Sequence, residues 1–374
     1  MQFRSITAAE AKRFDDFVRG SADGHLFQSY SWGEIKKPEW TPLRVVLEER
    51  GLIVASAAIL KRTVPPGRRS IFYLPRGPVL ADWDDADVLE RLFRALRDLA
   101  EEHRAFLIKI DPCLTEERTA ALAALRRIGF KLAPGKDRFG GIQPRYTFRI
   151  DLGGDLDQIM ARFPKKVRYK IRYGCRQGLT FASAGVEGLP QFVRLIEKTA
   201  LRGGFVARKA DYYRKLFQVL APGGAIDLQL GSYKGEVIVA GITFAFGDKA
   251  WAVYGGQGER HRNLYAYNAL IWERIKWAKS KGARWFDLYG VPGRVEQGDP
   301  LFGIYSFKKS FGGDFYAFIG EHDLPLSGGY YRLWSYLYPV FSHSAIQMIG
   351  WGRGAASALA SLRETFFPSA RGLD

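Results

Sequence analysis

Apolar and polar positions along this chain follow two rhythms, and the rhythms recur in the same order in each half. In the first half an apolar segment, Leu52 to Leu60, meets a turn at Pro65, Pro66 and Gly67, and a second apolar segment, Ile71 to Leu74, follows. Leu89, Leu92, Phe93, Leu96, Leu99 and Ala100 then recur with helical spacing, which predicts an amphipathic helix. Phe106 to Ile110 reads as a buried strand that ends at Asp111. The second half repeats the order. Val237 to Phe246, a Gly247-Asp248 turn and Ala250 to Tyr254 precede a helix over Tyr267 to Lys279 with Ile271, Ile275 and Ala278 on one face. Trp285 to Leu288 is the matching strand, which makes Asp287 the repeat mate of Asp111.

Two hairpins, each followed by a helix and a strand, predict an α/β chain with two domains of one type packed together. A length of 374 residues agrees with two domains. The strand-like YTFRIDL runs into Gly153-Gly154, so the division is expected near residue 150, with one domain over 1–150 and the second over 151–314. After Gly320 the pattern does not restart, and 326–374 reads as a helical appendage.

Charge changes the picture. The chain carries 56 Lys and Arg against 39 Asp and Glu, a net +17 that attracts a polyanion over long range. The segment ARFPKKVRYKIRYGCRQG concentrates this charge: Arg162, Lys165, Lys166, Arg168, Lys170, Arg172 and Arg176 occur with no acid among them. Phe163, Val167 and Ile171 would give a helix after Pro164 a buried face, leaving a basic face for nucleic-acid phosphates or simply for solvent. Two cysteines, Cys113 and Cys175, exclude a disulfide framework, and the five histidines are scattered without metal-ligand spacing. The N-terminus lacks the apolar core of a signal peptide, and Pro339, Ser342, His343 and Ser344 interrupt the most apolar stretch, so a cytoplasmic chain is expected. Tyr330, Tyr331, Trp334, Tyr336, Tyr338 and Trp351 beside Arg332 and Arg353 would suit peripheral contact with the inner face of a membrane, or a helix packed on the first domain.

FQSYSWGEIKK (27–37), YLPRGPVL (73–80), LIKIDP (107–112), RKADYY (208–213), YGGQGERHRN (254–263), FDLYGV (286–291) and YSFKKSFGG (305–313) together resemble the FemABX peptidyltransferases over nearly the whole chain. The resemblance implies two tandem acetyltransferase-like domains. RLIEKTALRGGFVARKADYY passes from one helix to the next with no coiled-coil arm between them, so the chain is similar to the armless type. In that type the chain returns to its first domain near the C-terminus, here at about 315–325. The implied activity moves an amino acid from aminoacyl-tRNA to the amine of the stem-peptide diamino residue of a peptidoglycan precursor, lipid-linked or UDP-linked, with no cofactor, and forms an interpeptide bridge.

Such a reaction needs an uncharged amine, and for a lysine-type amine of pKa about 10.4 supplying it near neutrality costs about 4–5 kcal/mol. It also needs a fixed positive donor for the tetrahedral oxyanion, typically about 2.7–4 kcal/mol. By the family's FKK motif that donor corresponds to Lys308 with Phe307 beside it. Lys309 competes, and if YSFKKSF runs as a strand only one of the two lysines faces the cleft. Asp111 corresponds to an acidic residue that orients the acceptor or takes its proton; an aspartate capping a turn is the bland alternative. Lys36, Arg208, Tyr212 and Tyr254 correspond to acceptor-binding positions, and Arg162, Lys165, Lys166, Arg168, Lys170 and Arg172 form the leading tRNA surface. The rival readings are an acyl-CoA-dependent N-acyltransferase using GGQGER (255–260) as a phosphate loop, and a non-catalytic RNA-binding protein.

Overall fold

The structure, a computed structural model, describes residues 1–64, 68–133 and 141–335. The Pro65-Pro66-Gly67 turn and the aromatic and basic positions beyond 335 lie outside the described residues. The first half runs β1 (Gln2–Ser5), α1 (Ala11–Gly20), α2 (Tyr30–Lys36), β2 (Thr41–Glu49), β3 (Leu52–Val64), β4 (Arg69–Leu74), β5 (Val79–Leu80), α3 (Ala86–Glu102), β6 (Ala105–Ile110), α4 (Thr119–Ile128) and β7 (Lys131–Leu132). The second runs β8 (Tyr146–Asp151), α5 (Leu156–Arg162), α6 (Lys165–Arg176), β9 (Thr180–Ala184), α7 (Leu189–Gly203), α8 (Ala210–Leu220), β10 (Ile226–Tyr233), β11 (Glu236–Phe246), β12 (Lys249–Gln257), α9 (Ala266–Ser280), β13 (Trp285–Asp287), α10 (Phe302–Lys309), β14 (Asp314–Ala317) and β15 (His322–Pro325).

The predicted repeat is present in the pairing. β3 and β4 are antiparallel, α3 crosses over, and β6 returns parallel to β4; β11, β12, α9 and β13 do the same. The two sheets have matching orders, β1-β2-β3-β4-β6-β15-β7 and β9-β10-β11-β12-β13-β8-β14. This is the tandem α/β architecture expected from the sequence. Helical spacing in α3 buries Leu89, Leu92, Phe93, Leu96 and Ala100 against the first sheet. Leu26, Phe27 and Trp32 of the first half share a continuous core with Phe192, Tyr213, Phe244 and Trp251 of the second.

The position beside each parallel pair is filled from across the boundary. β8 precedes the second repeat yet pairs with β13 and β14 in the second sheet, whereas β15 follows the second repeat and pairs with β6 in the first. The expected division at 150 therefore falls inside β8, a strand that belongs to the second sheet. Residues 314–317 also belong there, and the return to the first sheet occupies 322–325. Lys109 fixes that return by pairing with Glu321 at 3.1 Å and Asp323 at 2.6 Å.

The YSFKKSF segment is helical over Phe302–Lys309, which corrects the strand expectation. Tyr305, Phe307 and Phe311 alternate in sequence, but each finds an aromatic neighbour, in Phe148, Tyr267 and Phe163 respectively, from a helical turn. In the helix Lys308 is half-buried and Lys309 exposed, so the two are separated by helical rotation. Between α7 and α8 only six residues intervene, 204–209, with Gly204 in the left-handed region at φ +64° closing α7. Tyr330, Tyr331 and Trp334 pack on Val64, Ile71, Phe106 and Leu107 of the first sheet. Among the described residues no helix is long and apolar enough to cross a membrane.

Candidate active site

Ser29 accepts the Trp32 N–H and starts α2, which ends at Lys36 one turn beyond Trp32. The Lys36 ammonium lies 4.5 Å from the Trp32 ring centroid and 5.1 Å from that of Tyr212, and it donates to the Tyr212 hydroxyl at 3.3 Å. Tyr254 on β12 donates to the same hydroxyl at 3.4 Å. Arg208, just ahead of α8 rather than within it, holds its guanidinium 5.5 Å from the Tyr212 ring. The four residues named from the sequence thus meet, one from the first half and three from the second. Two cations and two phenols in contact can bind an anion such as a pyrophosphate, with Arg208 contributing a planar fork of donors.

The two repeat-mate aspartates are connected to this patch through Tyr289, which feels Asp287, Tyr212 and Asp111 alike. Asp111 is buried, accepts the Arg76 backbone N–H at 2.5 Å and the Tyr73 hydroxyl at 2.7 Å, and is pushed up to about 7 by burial, against the opposing pull of the Arg76 charge. It caps the turn carrying Arg76 (φ +55°) instead of standing open at a cleft mouth. Asp287 accepts from Thr147 Oγ1, from Arg149 Nε at 3.1 Å and from the Tyr289 N–H at 2.7 Å. That last bond holds Tyr289 in the left-handed region, φ +59°, a conformation unusual for a bulky residue. The carbonyls of Tyr289 and Gly290 then accept from Lys308 Nζ at 2.8 and 2.7 Å.

Burial lowers Lys308 to about 7, with Asp287 opposing the shift and Arg274 adding to it. The two carbonyl acceptors favour the ammonium form. An ammonium has three N–H donors, so one remains beyond those two bonds. Phe307 seats α10 through edge contacts with Tyr267 and Phe311. Tyr289 links the parts: its hydroxyl donates to Gln143 at 2.9 Å, and burial, with Asp287, Tyr212 and Asp111 nearby, holds its phenol well above the usual range. Tyr289 and Arg76 stood inside quoted motifs, but nothing in their spacing singled them out.

The basic run after Pro164 forms α6 as expected, with Phe163, Val167 and Ile171 buried, and Arg162 ends α5 just ahead of it. Two of its arginines are engaged at home: Arg162 donates to the carbonyls of Asp151 and Gly153, and Arg168 to those of Ala161 and Phe163. Lys170 lies 5.2 Å over the Tyr265 ring. Lys165, Lys166 and Arg172 are exposed and pair with no carboxylate among the described residues. In GGQGER, Gly255 to Gln257 are strand, and a Cβ on Gly255 would stand 2.1 Å from Tyr267 Oη. A Cβ on Gly256 would meet the α7 backbone at 2.6 Å. These glycines serve close packing, and α9 begins only at Ala266.

A sequence profile of the FemAB family matches residues 9–228 and 225–339. The chain belongs to the FemAB family. Among its FemAB relatives, the lipid II:glycine glycyltransferase of Staphylococcus epidermidis (strain RP62A) is 24% identical over 402 aligned positions, covering 90% of this chain and 96% of the relative. The enzyme of the same name from Staphylococcus aureus (strain MRSA252) is 24% identical over 404 positions, covering 89% and 96%. The crystal structure of FemX superposes with a TM-score of 0.83 at 23% identity, covering 90% of this chain and all of that one. A tandem GNAT protein from the clavulanic acid biosynthesis pathway gives 0.54 at 12% identity over 87% of this chain and 98% of that one, so the FemAB fold here is a paired acetyltransferase-like fold.

Proposed function

We propose that this FemAB chain moves an aminoacyl group from aminoacyl-tRNA to a primary amine of a peptidoglycan precursor, with a lipid-linked acceptor. The observation that carries the reading is the Lys36–Arg208–Tyr212–Tyr254 patch, assembled from both halves of a chain whose relatives are named for glycyl transfer to lipid II. The patch holds the acceptor's pyrophosphate. The acceptor amine, once it has lost a proton, attacks the ester carbonyl carbon; a C–N bond forms and the carbonyl electron pair moves onto oxygen. The free N–H of Lys308 donates to that oxyanion; as the carbonyl re-forms, the C–O bond to the ribose breaks, the attacking nitrogen gives up its extra proton, and the ribose oxygen leaves carrying a proton in its place. Tyr289 and Gly290 fix the Lys308 ammonium through their carbonyls. Asp111 acts as a positioning residue through Tyr73 and the Arg76 turn, since both its oxygens are already engaged. Lys165, Lys166 and Arg172 supply the phosphate contacts to tRNA from the open face of α6.

The test is incubation with a mixed aminoacyl-tRNA pool and either a lipid-linked or a UDP-linked precursor, read by mass spectrometry. A mass increase of one amino-acid residue on the lipid-linked precursor, abolished by ribonuclease, is expected. Transfer from an acyl-thioester instead would replace this reading with that of an acyl-CoA-dependent enzyme.

A further inference from the structure

The turn between α7 and α8 is apolar where a solvent-facing turn ordinarily is polar. Leu201 is 85% exposed, more than any other large apolar side chain among the described residues, and Phe205 and Val206 are 49% and 46% exposed. The turn is built. The Phe205 N–H donates to the Ala200 carbonyl at 3.1 Å and Gly204 supplies the left-handed residue that reverses the chain. Arg202 donates to the Gln257 carbonyl at 2.9 Å and Thr199 accepts the Gln257 N–H at 3.0 Å, which ties the end of α7 to β12. Around this tip stand Lys198, Arg208 and Lys209, exposed and without a carboxylate partner among the described residues. Nearby acids are Glu197, Glu259 at 3.9 Å from Arg202, and Asp211 paired with Arg214.

From these observations we infer that the α7–α8 turn is a membrane-docking wedge, which places Leu201, Phe205 and Val206 in the interfacial layer of an anionic bilayer while Lys198, Arg208 and Lys209 meet its phosphates. Three side chains on a helix-to-helix turn offer far less than the roughly 800 Å² per partner of a stable protein interface. An apolar tip collared by cations matches the layering of a bilayer, with hydrocarbon beneath anionic headgroups. The turn also leads within two residues into Arg208, whose guanidinium lies against Tyr212. Docking therefore brings the acceptor patch to headgroup depth, where the pyrophosphate of a lipid-linked acceptor would lie. This last consequence rests on the function proposed above; the docking does not.

The experiment is co-sedimentation of the full chain with vesicles of phosphatidylcholine containing phosphatidylglycerol, and with phosphatidylcholine alone. Binding to the anionic vesicles that weakens with salt is expected. The combined Leu201→Ser, Phe205→Ser and Val206→Ser variant should partition at least roughly tenfold more weakly, whereas Phe205→Trp alone should retain binding. Unchanged thermal unfolding and unchanged transfer to a detergent-solubilised lipid-linked acceptor would verify that the triple variant is folded, while transfer to an acceptor embedded in vesicles should slow. Equal partitioning of wild type and triple variant assigns any membrane contact to another surface and overturns the inference. So does absence of wild-type binding at low salt, or a wild-type dimer that the triple variant dissociates. If the wild type transfers to neither acceptor, the proposed function fails and vesicle partitioning still decides the docking.

Discussion

The two repeat units place an aspartate at the end of the parallel strand that follows the crossover helix, Asp111 just after β6 and Asp287 as the last residue of β13, and surround it differently. Asp111 is enclosed with a phenol and a backbone N–H and has no carboxylate–cation bridge among the described residues; Asp287 is bridged by Arg149 and holds a strained turn beneath Lys308. The units also differ in how they close their hairpins. On β3, where β4 and β5 splay apart, Gln28 donates to the Ala58 and Pro75 carbonyls and accepts the Ala58 N–H. At the bulge between Ile242 and Phe244 on β11, the buried Arg274 donates to Thr243 Oγ1 and the Ile242 carbonyl. In both units a buried side chain of the protein satisfies backbone groups at the break in the hairpin. One scaffold thus carries two different constellations: the first unit places Lys36 on α2 against Tyr212, and the second places Lys308 on the carbonyls of Tyr289 and Gly290. Chemistry follows the neighbours of a position and not the fold alone.

The sharpest way to break this comparison is at Lys308. Lys308→Met should lower single-turnover transfer by about a hundredfold to a thousandfold, the loss of one oxyanion donor, while precursor binding by calorimetry is retained. The exposed Lys309→Met is the matched control and should transfer at nearly the wild-type rate; the reverse pattern would move the donor to Lys309.

A smaller effect separates the two hairpin plugs. Arg274→Met leaves Thr243 Oγ1 and the Ile242 carbonyl without their buried partner and should cost about 2–4 kcal/mol in denaturant unfolding. Gln28→Ala removes three buried bonds of a neutral group and should cost about 2–3 kcal/mol. If Gln28→Ala is the more damaging, charge does not set the difference between the plugs.

Asp111 and Lys308 differ in pH dependence. Asp111 is raised from 3.8 to about 7, so the folded state holds a proton that the unfolded state has lost, and its contribution to stability falls as pH rises from about 4 through about 7. Asp111→Asn should flatten that fall. Lys308, lowered from 10.5 to about 7, acts in the opposite sense: its burial penalty is present in full below about 7 and is relieved as pH rises toward 10.5, so Lys308→Met should flatten a rise there. Unfolding free energies across pH for the two variants and the wild type check both signs. The smallest effect concerns α6, where Lys165→Ala, Lys166→Ala and Arg172→Ala together should reduce the salt slope of tRNA binding by about 0.7 per lost single-strand-like phosphate contact. An unchanged slope would remove α6 from the tRNA surface.

Much of this was legible in the sequence because it is local. The hairpin–helix–strand repeat, the amphipathic α3 and the direct passage from α7 to α8 are written in spacing over a few turns. Trp32 and Lys36 meet because they stand one turn apart on α2, and Arg208 reaches Tyr212 from just outside its helix. What stayed hidden depends on distant partners. YTFRIDL reads as a strand, yet only β13 and β14, far along the chain, decide its sheet. The alternating aromatics of Tyr305, Phe307 and Phe311 suggest a strand period, and contacts with Phe148, Tyr267 and Phe163 override it. Tyr289 gained its importance from a backbone twist set by Asp287, which no residue pattern announces.

The crossed placement of β8 and β15 also bears on how the chain comes into being. As the chain leaves the ribosome from its N-terminus, the first sheet lacks the strand beside β6 until residues 322–325 have been made. Until then Lys109 has neither Glu321 nor Asp323 beside it, and an edge of β6 stands open. The first unit must wait for the second to be synthesised, and a nascent chain released before residue 325 exposes a pairing edge that invites another chain. The halves are stitched like a clasp that closes last at its far end, so a fragment cut at residue 150 would carry away a strand of its neighbour and lack one of its own.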